Sequence, residues 1–102
     1  RAKRYAIHLV VGAQPGSDYA PKVVNEFVAL GPSPRAVQAL MLCSKVRALT
    51  HGRFAVSTDD VKAVAHDVLR HRVLVNFHGQ ADGVSTDRVI SEVLGHVQPP
   101  AE

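Results

Sequence analysis

The sequence predicts a mainly α fold, a small bundle of four to five helices, and leaves one short two-stranded β pairing open. Apolar residues recur at helical spacing in segments separated by Gly and Pro. Two of these segments begin with N-cap residues followed by carboxylates, at Ser57–Asp60 and Ser85–Asp87. There is no Trp, and aromatic residues make up 5% of the chain against 46% hydrophobic residues, so the core must be aliphatic. An aliphatic, alanine-rich core favours helices that pack closely on one another.

The length of 102 residues fits one domain with a single core. We predict one unit over 1–102, with an N-terminal helix and linker over 1–17 and the main body over 18–98. Because the chain begins at Arg1 rather than Met, we expect a fragment of a longer protein whose natural C-terminus lies near residues 99–102.

The charge and cysteine content narrow the class of protein. The formal net charge is +3 and the sequence pI is about 9.4, without the clustered Lys and Arg of a dedicated nucleic-acid binder. The single cysteine, Cys43, excludes an intrachain disulfide and a zinc site of several cysteines, and it fits a reducing compartment. No apolar run reaches the roughly 18–20 residues of a membrane span, and there is no signal peptide. We therefore expect a cytoplasmic protein without membrane contact.

The first two segments have apolar faces bounded by helix breakers. In residues 1–13 β-branched side chains make helix and strand hard to separate, and we favour a helix. After the break at 14–16, Ser17 and Asp18 are candidate caps for a second helix over 22–30, which Gly31 and Pro32 end. The expected apolar faces are Ala6, Leu9, Val10 and Ala13 in the first helix, and Val23, Phe27 and Leu30 in the second.

The third helix, residues 34–51, is the best-defined element. Apolar residues occupy nearly all of its sides, which predicts a central helix that is buried on most sides. Cys43 is then expected to be a small buried hydrophobe, whereas Lys45 and Arg47 are expected to be solvated. Gly52 is the expected C′ residue.

The second half of the chain alternates between extended and helical patterns. Residues 54–56 are expected to be extended and are a candidate to pair with 72–76. Between them, residues 58–69 form a helix with the apolar spacing i, i+3, i+4, i+7, i+8 from Val61. Residues 78–83 are expected to form a loop before a last helix that follows Ser85 and ends before Pro99.

The segment from Gly31 to Ala36 begins the third helix with an unusual charge. Ser33 is the expected N-cap through its hydroxyl, and Pro34 fits the first helical position. The next residue is Arg35, although the positive end of a helix dipole favours Asp or Glu. Either Arg35 is a solvated first-turn residue, or an anion binds there.

A second basic group, Arg70-His71-Arg72, follows the fourth helix. These residues complement the negative end of that helix dipole as a basic C-cap. The alternative is a surface contact with phosphate or with an acidic partner.

Motifs that bind nucleotides or hydrolyse substrates are absent from residues 1–102. There is no GxxxxGK[ST] loop, GxGxxG turn, HExxH helix or GxSxG elbow. No two of the six histidines have the i, i+3 or i+4 spacing that places two imidazoles on one helical face. The sequence therefore predicts no catalytic residue, metal or cofactor within this chain.

Several motifs together resemble the C-terminal lid of MoxR-family AAA+ ATPases over about residues 20–97. Gly31-Pro32-Ser33-Pro34-Arg35-Ala36 is similar to the "GxSPRA" start of that family's sensor-2 helix. Three later segments occur in the family's order: 52–61 resembles "GR-x-x-V-T-P-E-D-V", 68–73 resembles "VLRHR", and 81–87 resembles "AEGVTPDD". The linker 14–17 departs from the family because it lacks the "TR" that often precedes the first motif.

The resemblance implies a helical lid whose Arg35 is the sensor-2 arginine, presented to ATP phosphates by the helix start at Ser33 and Pro34. In the full-length protein it implies ATP and Mg²⁺ on a separate core domain and hydrolysis coupled to remodelling of a protein client. It also implies contact with that core and with neighbouring subunits of a ring. A client with a von Willebrand A-type domain is common in the family. The fragment lacks the Walker A and B motifs, so it should be inactive alone.

A free-standing helix-turn-helix-like module is the rival class, binding either nucleic acid or a protein. Its recognition helix would be residues 58–69. That helix carries three aspartates against Lys62 alone, which is a poor face to offer phosphates: Asp59, Asp60 and Asp67.

Overall fold

The computed structural model describes residues 1–100, and the expected natural C-terminus falls partly outside them, at 101 and 102. Six helices and one two-stranded antiparallel sheet make up the fold over these residues. Four of the helices are long, which confirms the mainly helical prediction with one short β pairing. In chain order the elements are α1 (Ala2–Gly12), α2 (Lys22–Phe27), β1 (Val28–Leu30), α3 (Arg35–Thr50), α4 (Thr58–Leu69), β2 (Leu74–Val75), α5 (Phe77–Ala81) and α6 (Thr86–His96).

The bundle is built on the pairing of α3 with α4, against which α1 and α6 pack. The first segment is helical, as favoured, and its predicted apolar face is buried in the core. Helix α4 begins at the predicted cap, where Ser57 and Asp60 form a reciprocal capping box. Helix α6 begins at Ser85, whose hydroxyl accepts the backbone N–H of Arg88. The core is aliphatic, as the composition predicts.

The two-stranded sheet does not contain residues 54–56, which were the candidate partner of residues 72–76. Residues 28–30, predicted as the end of the second helix, form β1 and pair with β2, with Val28 opposite Val75 and Leu30 opposite Leu74. The backbone N–H of Asn76 extends this pairing by donating to the Phe27 carbonyl at 2.7 Å. Val28 and Val75 are both buried, which favours this pairing. Residues 54–56 do not form a strand.

The prediction that α3 is buried on most sides was wrong. Its buried residues lie four apart on one narrow stripe: Ala36, Leu40, Ser44 and Ala48. Val37, Ala39 and Met41 are half-buried against the core. Leu42 and Val46 are exposed, and so is Cys43, which was expected to be buried. Small residues let α4 approach closely along one stripe, so α3 needs no wider contact to join the bundle.

The loop predicted over 78–83 is mostly helical, since α5 occupies Phe77–Ala81. The side chain of Asn76 caps this helix by accepting the backbone N–H of Gly79 at 2.8 Å. Gly79 itself packs against Val75 and Phe27, so the short helix is held beside the sheet. Gly52 adopts φ +74°, which confirms it as the C′ residue of α3.

Candidate functional site

The loop before α3 is fixed to the end of α1. A Cβ added at Gly31 would clash with the side-chain oxygen of Gln14 and would lie 2.7 Å from the carbonyl oxygen of Ala13. The amide of Gln14 also donates to the Pro32 carbonyl, and Pro32 is buried. The position of the first turn of α3 is therefore set by α1 through Gln14. The sequence analysis did not assign Gln14 this role, because a contact over 18 residues leaves no local pattern.

The helix start differs in one detail from the prediction. Pro34 has helical dihedrals (φ −56°, ψ −23°) and occupies the N-cap position, and α3 proper begins at Arg35. Ser33 accepts the N–H of Ala36 at 2.9 Å through its backbone carbonyl. Among residues 1–100, no N–H donates to the Ser33 hydroxyl. Because Pro34 already has helical dihedrals, the first backbone hydrogen bonds of α3 run from the N–H of residue i+3 to the carbonyl of residue i. The Ser33 hydroxyl therefore does not cap the helix.

Arg35 is exposed at this helix start. No acidic residue lies in the first turn of α3. Within the part of the chain that the structure describes, the Arg35 guanidinium makes no hydrogen bond or ion pair. A full positive charge therefore adds to the positive end of the α3 dipole, and their combined field faces solvent. This arrangement attracts an anion.

An apolar groove lies between α1 and the start of α3. Its volume is about 300 Å³. Pro34 and Val37, which flank Arg35 in sequence, form one wall. The full lining is Ile7, Val10, Val11, Gln14, Pro34 and Val37.

The basic group after α4 is largely engaged within the chain. The Nε of Arg70 donates to Asp87 at 2.9 Å, and its Nη1 lies 3.4 Å from Asp67. The hydrogen bond to Asp87 raises the pKa of Arg70. Arg72 donates to the Val68 carbonyl at 2.7 Å, as a basic C-cap does, and His71 is exposed. No hydrogen bond or ion pair joins this group to Arg35 within residues 1–100, and contact with a partner stays a prediction.

The sequence analysis missed a buried ion cluster between α3 and α4. The Asp60 side chain has no exposed surface. Arg53 contacts it with both terminal nitrogens, at 2.7 and 2.6 Å, and Arg47 Nη1 lies at 2.6 Å. The Ser57 backbone N–H donates at 2.9 Å. Arg47 was predicted to be solvated; its side chain keeps 32% of its surface in water, but its guanidinium is paired with Asp60.

A local signal for part of this cluster was present in the sequence. Ser57 and Asp60 have the spacing of a capping box, which places the carboxylate against the backbone at the helix start. The arginines were not predictable in this way, since Arg47 comes from the preceding helix. Hydrogen bonds, first from Arg53 and then from the Ser57 backbone, hold the pKa of Asp60 well below its usual range. The cluster links the last turn of α3 and the segment after it to the start of α4.

Two further searches covered the described residues. Residues 1–100 contain no group of three or more His, Cys, Asp or Glu side chains placed to hold a metal ion. In the same range, every helix is too short or too polar to cross a membrane.

Residues 21–93 match the family of AAA lid domains, so the chain belongs to the AAA lid domain family. Two relatives and one solved structure then narrow the class to the lids of MoxR-like ATPases. The chain is 34% identical over 96 residues to Chaperone MoxR1 of Mycobacterium tuberculosis, covering 94% of this chain. It is 32% identical over 75 residues, 74% of this chain, to the uncharacterized protein YeaC of Bacillus subtilis.

The solved structure confirms the fold. A crystal structure of a Cytophaga hutchinsonii protein assigned as an ATPase superposes with a TM-score of 0.91 at 30% identity. The match covers 97% of this chain and 30% of the other. The chain spans about a quarter of the length of the two relatives, 26% and 23%.

Proposed function

We propose that this lid supplies the sensor-2 arginine of a MoxR-like ATPase and that Arg35 is that residue. The observation that carries the proposal is the uncompensated charge at the start of α3. Arg35 is exposed and has no acidic neighbour in its turn. A guanidinium forms paired hydrogen bonds with phosphate oxygens, so it suits the phosphates of ATP better than a point charge does.

In this proposal the nucleotide is bound by a core domain of the full-length protein, together with Mg²⁺. Pro34 and the carbonyl of Ser33 shape the helix start, and Gln14 holds that start against α1. Arg35 is thereby presented on a rigid support. Electrostatic stabilisation of phosphoryl transfer depends on such fixed positioning.

The apolar groove between α1 and α3 supports the same ligand. A nucleotide combines an aromatic base with a phosphate chain, and the groove is an apolar concavity at the start of the helix that carries Arg35. Its lining residues Pro34 and Val37 belong to the turn that carries Arg35. We propose that the base of the nucleotide contacts this groove while the core holds the phosphates.

The lid is built to move as one body with the nucleotide state. The Asp60 cluster joins α3, which carries Arg35, to α4 and the rest of the bundle. A change at the phosphates therefore displaces the whole domain. We propose that this movement rearranges a ring of subunits and remodels a client protein, including clients with von Willebrand A-type domains, in the cytoplasm. The description of MoxR1 as a chaperone supports a remodelling role.

The test is the Arg35→Ala substitution in the full-length ATPase. Loss of the guanidinium should reduce ATP turnover by roughly 100- to 1000-fold, the range found when one transition-state donor is removed. Arg35→Lys should recover only part of the loss, since an ammonium lacks the planar fork. Steady-state ATPase assays at saturating ATP measure both variants.

The matched control is Arg88→Ala. Arg88 is an exposed arginine whose guanidinium pairs, among residues 1–100, with Glu92 on its own helix, so its removal should leave turnover nearly unchanged. Unchanged turnover in Arg35→Ala would exclude the sensor-2 assignment, and an equal loss in both variants would indicate a nonspecific effect on folding.

A further inference from the structure

The end of α6 packs closely on the end of α1. Gly12 is the last residue of α1, and a Cβ added there would lie 2.8 Å from Cγ2 of Val97. The carbonyl oxygen of Tyr19 would lie 3.3 Å from the same Cβ. Val97 is buried, and its N–H donates to the Val93 carbonyl at 2.8 Å, so it is fixed to the last turn of α6. Gly12 is therefore held tightly between α6 and the segment that follows α1.

This close packing explains why residue 12 is a glycine. Gly12 does not adopt the left-handed conformation that favours glycine, in contrast to Gly16 and Gly52. Glycine in a helix is less favourable than alanine, so it weakens the end of α1. The space that Val97 occupies leaves no room for a larger residue.

The two residues that follow Gly12 hold the loop before α3. The carbonyl of Ala13 and the side chain of Gln14 lie against Gly31. The amide of Gln14 also donates to the Pro32 carbonyl. A displacement of Gly12 against α6 therefore moves the two residues that support the first turn of α3.

We propose that Val97 is a positioning residue for Arg35. The end of α6 sets the position of the end of α1 through Gly12, and the end of α1 sets the start of α3. The inference rests on the proposed function, because it concerns the placement of the guanidinium that faces the phosphates. Misplacing a catalytic group by about 1 Å costs on the order of 100-fold in rate. Val97 thereby affects ATP turnover without contacting the reacting atoms.

A clash and its rescue test the contact in the full-length ATPase. Gly12→Ala adds a methyl group against Val97 and should lower kcat by about tenfold, because the end of α1 must shift. Adding Val97→Ala removes the methyl groups that the new side chain meets, so the double variant should recover to within about threefold of the unsubstituted enzyme. Gly95→Ala is the matched control with unchanged kcat, since a Cβ there meets nothing within 4 Å. A double variant no faster than Gly12→Ala would overturn the proposal.

A second measurement separates positioning from a loss of folding. In an Arg35→Ala background the guanidinium is already gone, so Gly12→Ala should lower kcat by less than about twofold further, measured with radiolabelled ATP. The same tenfold loss in both backgrounds would overturn the proposal. Val61→Ala truncates a buried valine next to Asp60, which binds the far end of α3. It should lower the melting temperature and leave kcat unchanged, whereas a tenfold loss of kcat there would mean that stability alone sets turnover.

Amide hydrogen exchange reports the placement of the helix start independently of ATP turnover. The N–H of Ala36 donates to the Ser33 carbonyl at 2.9 Å, so its exchange reports the first turn of α3. Mass spectrometry of the full-length ATPase should show about tenfold faster exchange there in Gly12→Ala and recovery in the double variant. Unchanged exchange in Gly12→Ala would overturn the proposal. If Arg35→Ala keeps full turnover while exchange in Gly12→Ala rises, only the sensor-2 assignment fails.

Discussion

At Asp60 a carboxylate without exposed surface accepts hydrogen bonds from two arginines and from the backbone of Ser57. Burial alone would disfavour its charge, but Arg53 and Arg47 compensate it. Both arginines keep part of their surface in water, 41% and 32% of the side chain, so the cluster avoids the full desolvation of three ions. Asp60 therefore links α3, the turn after α3 and the start of α4.

The first prediction concerns the charge of Asp60. Asp60→Asn keeps the shape but removes the charge and one acceptor oxygen, leaving Arg47 and Arg53 without a counterion. We expect the melting temperature of the chain to fall by roughly 10 °C or more, measured by circular dichroism. Asp59→Asn is the control, because Asp59 is exposed in the same first turn. Equal melting temperatures for the two variants would contradict the structural role of the cluster.

The second prediction concerns pH. The hydrogen bonds to Asp60, first from Arg53, place its pKa far below the usual range, so in acid the unfolded chain binds this proton before the folded chain does. The stabilisation from this group is therefore complete above about pH 5 and is lost progressively as the pH falls below about 4. Urea unfolding across this range measures it. Asp60→Asn should show a shallower decline, and an identical decline would assign the acid sensitivity to other carboxylates.

At the scale of elements, the start of α3 depends on how closely the preceding loop approaches α1. The carbonyl of Ala13 and the side chain of Gln14 leave no space for a side chain at Gly31. Because one of these neighbours is backbone, the loop itself must shift if a Cβ is added. Any shift there moves Arg35 as well.

The third prediction therefore compares two glycines. Gly31→Ala should lower the free energy of unfolding by about 1–3 kcal/mol, the usual effect of overpacking. Gly95→Ala should raise it by about 0.5–1 kcal/mol, since that glycine is in α6 with open space around it and alanine favours helix. Urea unfolding of both variants gives the values. An unchanged free energy of unfolding in Gly31→Ala would show that the loop before α3 is packed less tightly than the structure indicates.

The whole molecule is elongated, with extents of 44 × 24 × 21 Å. Helices α3 and α4 pack along one another, and the Asp60 cluster fixes them at one end. Leu42, Val46 and Leu49 remain exposed along α3.

The final prediction concerns the 102-residue chain by itself. It carries the proposed phosphate-facing arginine and lacks a phosphate-binding loop. One guanidinium and a helix end give little affinity without the backbone cradle and Mg²⁺, so ATP should bind with a dissociation constant above about 1 mM. Isothermal titration calorimetry measures this, with the full-length ATPase as the positive control. Submillimolar binding that disappears in Arg35→Ala would mean that the lid binds ATP without a core.

The sequence by itself determined the elements that depend on neighbouring residues. The caps at Ser57 and Ser85, the C′ glycine at position 52 and the apolar face of α1 were all predicted, because each follows from local hydrogen bonds or from helical spacing. The motif around Arg35, taken together with the three later segments, also indicated the family, which the comparisons confirm.

The tertiary structure alone decided the features that depend on distant partners. Residues 28–30 form a strand because 74–75 lie beside them, and Arg47 is held because Asp60 comes from the next helix. The exposure of Leu42 and Val46 likewise follows from the narrow stripe through which α3 meets the bundle. A periodic pattern shows that a helix has apolar sides, but it does not show how many of those sides a given set of neighbours covers. Contacts between residues far apart in sequence leave no local pattern, so only the folded chain shows them.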